Sequence, residues 1–279
     1  MRLLWFVVLL TLCSGNVPAA NVVLLRNDKP AVEVHTECTP FKPYVAQLYS
    51  PGGVAVLRDN VADHLHHHGL MFAVAVNDVN FWEERTNSGH QVQRQLQLGD
   101  GAVTQELDWI APGDKTLLRE RRVIRIHRDE EIPATLLTWR SRLQSKDEVR
   151  LTGHHYFGLG MRFAADMDKI GAFINSDNVT GDVVRGDERL TAAKWCAYTD
   201  RRVTVALFDH PGNLRHPARM FTMAKPFAYL SATLNLWKEP FALRPDKPLE
   251  LQYGVAVWDG EQTPEQIEKL YSRWLEKTK

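Results

Sequence analysis

The sequence predicts an all-β protein, a large antiparallel β-sandwich with a short C-terminal helix. Three observations carry that expectation. Apolar residues recur with period two in one segment after another, the pattern of strands with one buried face. Turn-forming pairs such as Pro51-Gly52, Gly99-Asp100 and Pro112-Gly113 cut the chain at short intervals. Only one segment has clear helical spacing, so the alternating helices that a parallel α/β fold needs are missing.

Residues 1–20, MRLLWFVVLLTLCSGNVPAA, read as a secretory signal peptide, with Arg2 ahead of an apolar stretch and small residues ending in Ala19-Ala20. The stretch from Leu3 to Cys13 is eleven residues long, short of the roughly 20 needed to cross a bilayer. The expected location is therefore secreted or periplasmic, with no membrane association after cleavage. Residues 21–279 carry no repeat, linker or low-complexity tract and predict a single β-sandwich domain.

Within that domain, Val103, Gln105, Leu107 and Trp109 predict one half-buried strand. Leu118, Glu120, Arg122, Ile124 and Ile126 predict a second, with a less clean alternation. The run Val203–Phe208 reads as a strand buried on both sides. Leu249, Leu251, Tyr253, Val255 and Val257 give the clearest alternation. The helix follows: Thr263 caps it, Pro264 fits its first turn, Gln266 closes a capping box, and Ile267, Leu270, Tyr271 and Trp274 share one face.

Composition narrows the partners. Lys and Arg total 34 and Asp and Glu total 34, so the chain lacks the basic excess that phosphate neutralisation demands, which argues against nucleic acid. Net neutrality and eight tryptophans suit a small-molecule carbohydrate bound by stacking and hydrogen bonds. After signal removal only Cys38 and Cys196 remain, which permits one disulfide or two free thiols.

Three clusters carry the chemistry. The first is Asp63-His64-Leu65-His66-His67-His68-Gly69 with Phe81-Trp82-Glu83-Glu84 and His90, which places five of the eleven histidines within 28 residues. Histidine both moves protons near neutral pH and ligates metals. If the tract is extended, His64, His66 and His68 face one way and Asp63 and His67 the other. Beside Phe81 and Trp82, either Glu83 or Glu84 can be pressed onto aromatic surface, raising its pKa towards that of an acid catalyst, while the other pairs with Arg85 or another base. The second cluster, Gly153 to Arg162, sets His154, His155, Tyr156 and Arg162 among glycines. The third, Asp209 to Pro217, presents Asp209, His210 and Arg215 on a proline-stiffened loop; alternatively Asp209 and Arg215 only pin that loop. Glu239, just before the last strand, is the late candidate for a general base.

These motifs resemble a bacterial family of unknown function that carries the label "methane oxygenase PmoA". The matching pieces are DHLHHHG (63–69), VNFWEE (79–84), GH (89–90), GLGMRF (158–163), FDHPGNLRHP (208–217) and ELQYGVAVWDG (250–260), in the family's order. The family usually has His-His-Arg-Gly where this chain has His67-His68-Gly69, so His68 stands in for a guanidinium. A more distant similarity is to aldose 1-epimerases and other mutarotase-like proteins, on His64-Leu65-His66, Gly153-His154-His155-Tyr156-Phe157-Gly158-Leu159 and Glu239-Pro240. That resemblance implies a supersandwich binding sugars on its concave face, with His66 and His155 as the acid candidates and Glu239 as the base.

The function expected is a carbohydrate-active enzyme of epimerase, lyase or hydrolase type. Its catalytic candidates are His66, His67, Glu83, His155 and Glu239. His64, Trp82, His90, Tyr156, Arg162, Asp209, His210 and Arg215 are expected to bind substrate. Two alternatives stand beside it. In one, His64, His66 and His90, with Glu83 or Glu84, hold a divalent metal for hydrolysis or oxygenation; no other cofactor is implied. In the other, the same groups only bind carbohydrate.

Overall fold

The computed structural model describes residues 21–37, 41–59, 61–99 and 101–279. The expected signal peptide, Cys38 and Asp100 lie outside the described residues. The strands form three antiparallel sheets with one C-terminal helix, as the period-two pattern predicts. A nine-stranded sheet runs in the order Asn21–Arg26, Lys29–His35, Tyr44–Leu48, Leu70–Ala73, Gly158–Arg162, Tyr229–Thr233, Arg219–Met223, Arg189–Ala192, Asp182–Val183. An eight-stranded sheet runs Ala172–Asn175, Trp195–Thr199, Val203–Asp209, Leu249–Asp259, Thr135–Gln144, Lys115–His127, Ala102–Ala111, His90–Gly99. A smaller sheet joins Phe241–Leu243, Val149–Thr152, Ala75–Val76 and Val79–Asn80.

One hydrophobic cluster draws on both large sheets, with Val45, Phe72 and Leu159 from the first and Leu107, Trp139 and Val255 from the second. The far side of the eight-stranded sheet is partly covered by the helix Pro264–Lys277. Its buried face of Ile267, Leu270, Tyr271 and Trp274 packs on Trp195, Ala206, Phe208 and Ala256. Strand Val203–Asp209 is therefore buried on both sides, and Ala256 is buried although it sits out of phase in its alternating strand. The cap matches its prediction: Gln266 N–H donates to Thr263 Oγ1 at 3.3 Å, and Gln266 Oε1 accepts from Thr263 N–H at 2.8 Å.

The strand Lys115–His127 turns a wholly desolvated charged pair inward, which its sequence pattern does not predict. Arg122 donates through Nε and Nη2 to both oxygens of Glu120, at 2.9 and 2.8 Å. Trp109 Nε1 and Ser141 Oγ fill the remaining acceptor sites of that carboxylate, and Arg122 Nη1 reaches the Pro43 carbonyl at 2.9 Å. A second Arg122 Nη2 contact, to Gln91 Oε1 at 2.8 Å, completes the set. With no water to replace a lost partner, Glu120→Gln is expected to destabilise the fold by about 3–5 kcal/mol. A urea midpoint that hardly moves would show that the pair contributes little.

Candidate functional site

Residues 61–69 do not form a strand. They wind through turns in which His64 N–H donates to Val61 O at 3.0 Å and His67 N–H to His64 O at 2.8 Å. The expected alternation of His64, His66 and His68 against His67 is therefore overturned. A turn brings residues three apart together, so His64 stacks on His67 with centroids 4.7 Å apart, while His66 meets His67 edge-on at 4.6 Å. Gly69 permits this path, because a Cβ there would collide with the carbonyl oxygen of Val45.

His68 turns away from the other three and becomes the centre of a buried ionic chain. Its Nδ1 lies 2.7 Å from Asp59 Oδ1 and its Nε2 lies 2.8 Å from Glu84 Oε1. Two ionised carboxylates accept only, so the ring serves both as a doubly protonated imidazolium. Burial opposes that charge, but the hydrogen bonds from Asp59 and Glu84 outweigh it and raise the His68 pKa. Lys42, fully buried, donates to the same Glu84 oxygen at 2.5 Å, and Tyr44 donates to Asp59 at 2.7 Å while stacking on His68 at 4.4 Å. Burial lowers the Lys42 pKa despite Glu84. Glu84 is held below the usual carboxylate range by His68 and Lys42, against its own burial.

His67 and Arg162 form the adjoining layer. Arg162 Nη1 donates to His67 Nδ1 at 3.2 Å, which fixes that nitrogen as an acceptor. Burial, then the neighbouring His66, His64 and Arg162, push the His67 pKa far down, so the ring is neutral. Its other face stacks on Tyr229 at 5.0 Å. Arg162 Cζ sits 3.3 Å from the centre of the Phe227 ring.

The most accessible chemistry lies at the rim. His66 Nδ1 is 3.8 Å from Glu83 Oε2, and both side chains are about one-sixth exposed, at 17% and 16%. Tyr156 lies near enough to Glu83 to feel its charge, and Arg85 Nη2 lies 3.2 Å from the same carboxylate. Burial lowers the His66 pKa to about 4, with Glu83 opposing, and burial plus the Glu83 charge raises Tyr156 to about 12. His155 then touches Tyr156 edge-on at 5.1 Å and Trp237 at 6.0 Å; burial depresses its pKa. The first two clusters thus converge, as His66, Glu83, Tyr156 and His155.

With this architecture in place, residues 21–272 match the profile of DUF6807, a family of unknown function. The chain belongs to that family. Its description carries no oxygenase name, so the PmoA-like label stays a resemblance on sequence motifs. A search of curated proteins found no match. Among solved structures, a galactose mutarotase related enzyme from Lactobacillus acidophilus is similar at 9% identity and TM-score 0.51, over 88% of this chain and 98% of that one. A putative mutarotase from Salmonella typhimurium is similar at 11% identity and TM-score 0.42, over 86% and 97%. A polysaccharide lyase is similar at 10% identity and TM-score 0.40, over 88% of this chain and 34% of that one. The first of these shows the fold of this DUF6807 chain, a mutarotase-like sandwich.

Several expected ligand-binding residues are placed elsewhere. Asp209 is wholly buried, its carboxylate taken by Asn213 at 2.7 Å, His216 at 2.7 Å and the Ala218 N–H at 2.8 Å. Its strand belongs to the eight-stranded sheet, so it pins its own loop. His210 follows it to the helix side, against Trp274 at 5.7 Å. Trp82 is fully buried, its ring stacked on Phe157 at 5.1 Å and its Nε1 without a hydrogen-bond partner among the described residues. His90 stacks on Phe41 at 4.3 Å instead of joining His64 and His66, and burial lowers its pKa. Among the described residues no three His, Cys, Asp or Glu side chains are grouped to hold a metal.

Glu239 is 61% exposed, bonded to Asn235 at 3.0 Å and 3.4 Å from Arg215 Nε. Sequence reasoning missed Lys42, Asp59 and Tyr229. Only Lys42 gave a signal, a lone cation in the apolar stretch Phe41–Leu48.

His68 has a sharp pH signature. A raised folded pKa stabilises fully below the unfolded value of about 6.5 and is lost as pH rises through the folded value. The stability gap between wild type and His68→Gln is therefore expected to be widest below pH 6 and to narrow at alkaline pH. Urea midpoints measured for both across pH 5–9 check this; a constant gap would mean that the ring does not titrate in the fold.

Proposed function

We propose that the protein is a secreted or periplasmic carbohydrate-active enzyme that works by acid–base chemistry at His66 and Tyr156, with Glu83 orienting both. The observation that carries this reading is the rim chain His66–Glu83–Tyr156, partly exposed and mounted on a mutarotase-like sandwich. The named activities of similar proteins, a mutarotase related enzyme and a polysaccharide lyase, belong to carbohydrate chemistry. The leader-like residues 1–20 support the location.

The groups are in complementary protonation states. His66, with its pKa near 4, is neutral at pH 7 and has a ring nitrogen able to accept a proton. Tyr156, with its pKa near 12, keeps its proton and can donate it. Glu83 lies between them and orients both. Ring opening, epimerisation, elimination and glycoside cleavage each need one proton removed and another delivered across a bond. His155, next to Tyr156, extends the same wall towards Trp237 and supplies a surface on which a sugar ring can stack.

Incubated with free sugars, oxidised sugars and glycosides and followed by NMR, the wild-type protein is expected to exchange anomers or form a new product. His66→Gln and Glu83→Gln should each slow that reaction by about 10²–10⁴-fold, with urea midpoints close to wild type. Turnover that survives both substitutions would remove these residues from the mechanism. Ligand binding without any change over long incubation would make the protein a binder instead.

A further inference from the structure

The face of the nine-stranded sheet beneath this rim holds a row of buried polar atoms without partners. Arg162 pairs in register with Tyr229, Gly160 with Ser231 and Gly158 with Thr233, so all six residues point to the same side. Trp82 closes over Gly160, where a Cβ would lie 2.9 Å from the indole Cη2 and would collide with the Tyr229 hydroxyl. On this face Arg162 Nε, Trp82 Nε1, Tyr229 Oη and Thr233 Oγ1 are buried, and none has a hydrogen-bond partner among the described residues. Folded proteins rarely leave such groups unsatisfied, and a cluster of them points to a guest, either water or ligand.

The chemistry of the row is one-sided. Arg162 and Trp82 can only donate, and the two hydroxyls can donate as well. Charge points the same way. Glu84 is neutralised by Lys42 and His68, and Glu83 lies beside Arg85. Arg162, by contrast, is buried, and Asp63, whose carboxylate lies 3.6 Å away, is half-exposed and shared with His64. Its closest hydrogen-bond partner is a neutral imidazole. A ligand carboxylate would supply the missing acceptors and a closer, less solvated countercharge than Asp63.

We propose that the substrate is an acidic sugar, a uronate or related sugar acid, whose carboxylate is received by Arg162 with Trp82, Tyr229 and Thr233 as further donors. This rests on the carbohydrate reading above and narrows it. Without ligand, such a row of unsatisfied groups is a place for water, which the carboxylate would displace.

Calorimetric titration of the full chain with D-glucuronate, D-galacturonate, D-glucose and D-galactose tests the idea. At least one uronate is expected to bind tenfold or more tightly than its neutral counterpart. Arg162→Gln should abolish that preference, and Arg162→Lys, which keeps the charge but loses the planar fork, should weaken it. Tyr229→Phe should weaken uronate binding while leaving the melting temperature unchanged or higher, since it removes an unsatisfied hydroxyl from the ligand-free protein. A purely structural tyrosine would lose stability instead. Equal or tighter binding of the neutral sugars, or a preference that survives Arg162→Gln, overturns the acidic-sugar proposal and leaves the carbohydrate reading intact. Failure of all four sugars to bind counts against both.

Discussion

The site depends on charges that have no water to retreat to. Residues 41–44 are held from two sides: Arg122, locked to Glu120 inside the sandwich, donates to Pro43 O, while Lys42 and Tyr44 reach outward to Glu84 and Asp59. Gln91 N–H adds a bond to Phe41 O at 2.9 Å. Each of these buried charges is expensive alone and tolerable only in its pair. The loops bearing Asp59, His68 and Glu84 therefore cannot move independently of the core. Glu83 and His66 are one and two residues from this anchor, so the rim inherits its rigidity from the ionic chain rather than from its own contacts.

That dependence explains why adjacent residues have opposite fates. Glu83 and Glu84 are neighbours in a turn region, and their side chains diverge: one meets Lys42 and His68 in the interior, the other meets His66, Tyr156 and Arg85 at the rim. His67 and His68 divide in the same way. His68 is held charged by two carboxylates, and His67 is held neutral by burial beside Arg162. Position 68 is occupied by a cation because Asp59 and Glu84, one on each ring nitrogen, require one.

Local patterns in the sequence reported the fold well and the site only in part. The strands around Leu107, Ile124 and Val255 and the capped helix at Thr263 follow from side-chain period and capping chemistry, which are local properties. The burial of the Glu120–Arg122 pair was not legible, since two charges in phase with apolar residues read only as a weaker alternation. Nor was the conformation of the histidine tract, because consecutive histidines carry no period and the turn is imposed by the approach of Gly69 to Val45 O. The Asp209 loop has the composition of a ligand-binding loop, yet its carboxylate satisfies the loop's own groups; which sheet its strand joins decided the matter, and that is a non-local fact. Tyr229 and Thr233 lie in a strand whose every residue is buried, so nothing distinguished them from core.

The neutrality of His66 and His67 has a physical consequence for what lies beneath them. His64, His66 and His67 are in mutual ring contact, with centroids 4.6–5.7 Å apart, directly beside the Arg162 guanidinium. Protonating any one would place a second cation against Arg162 in a desolvated layer. The mutual repulsion, added to burial, keeps His66 and His67 in the neutral form. Arg162 in turn stays charged at neutral pH although burial and Arg58 draw its pKa down to about 10. Positive charge in this layer is thereby concentrated on one fixed, forked donor. A proton acceptor at the rim and a cation at the floor can then coexist a few residues apart, which a cluster of titrating histidines alone would not allow.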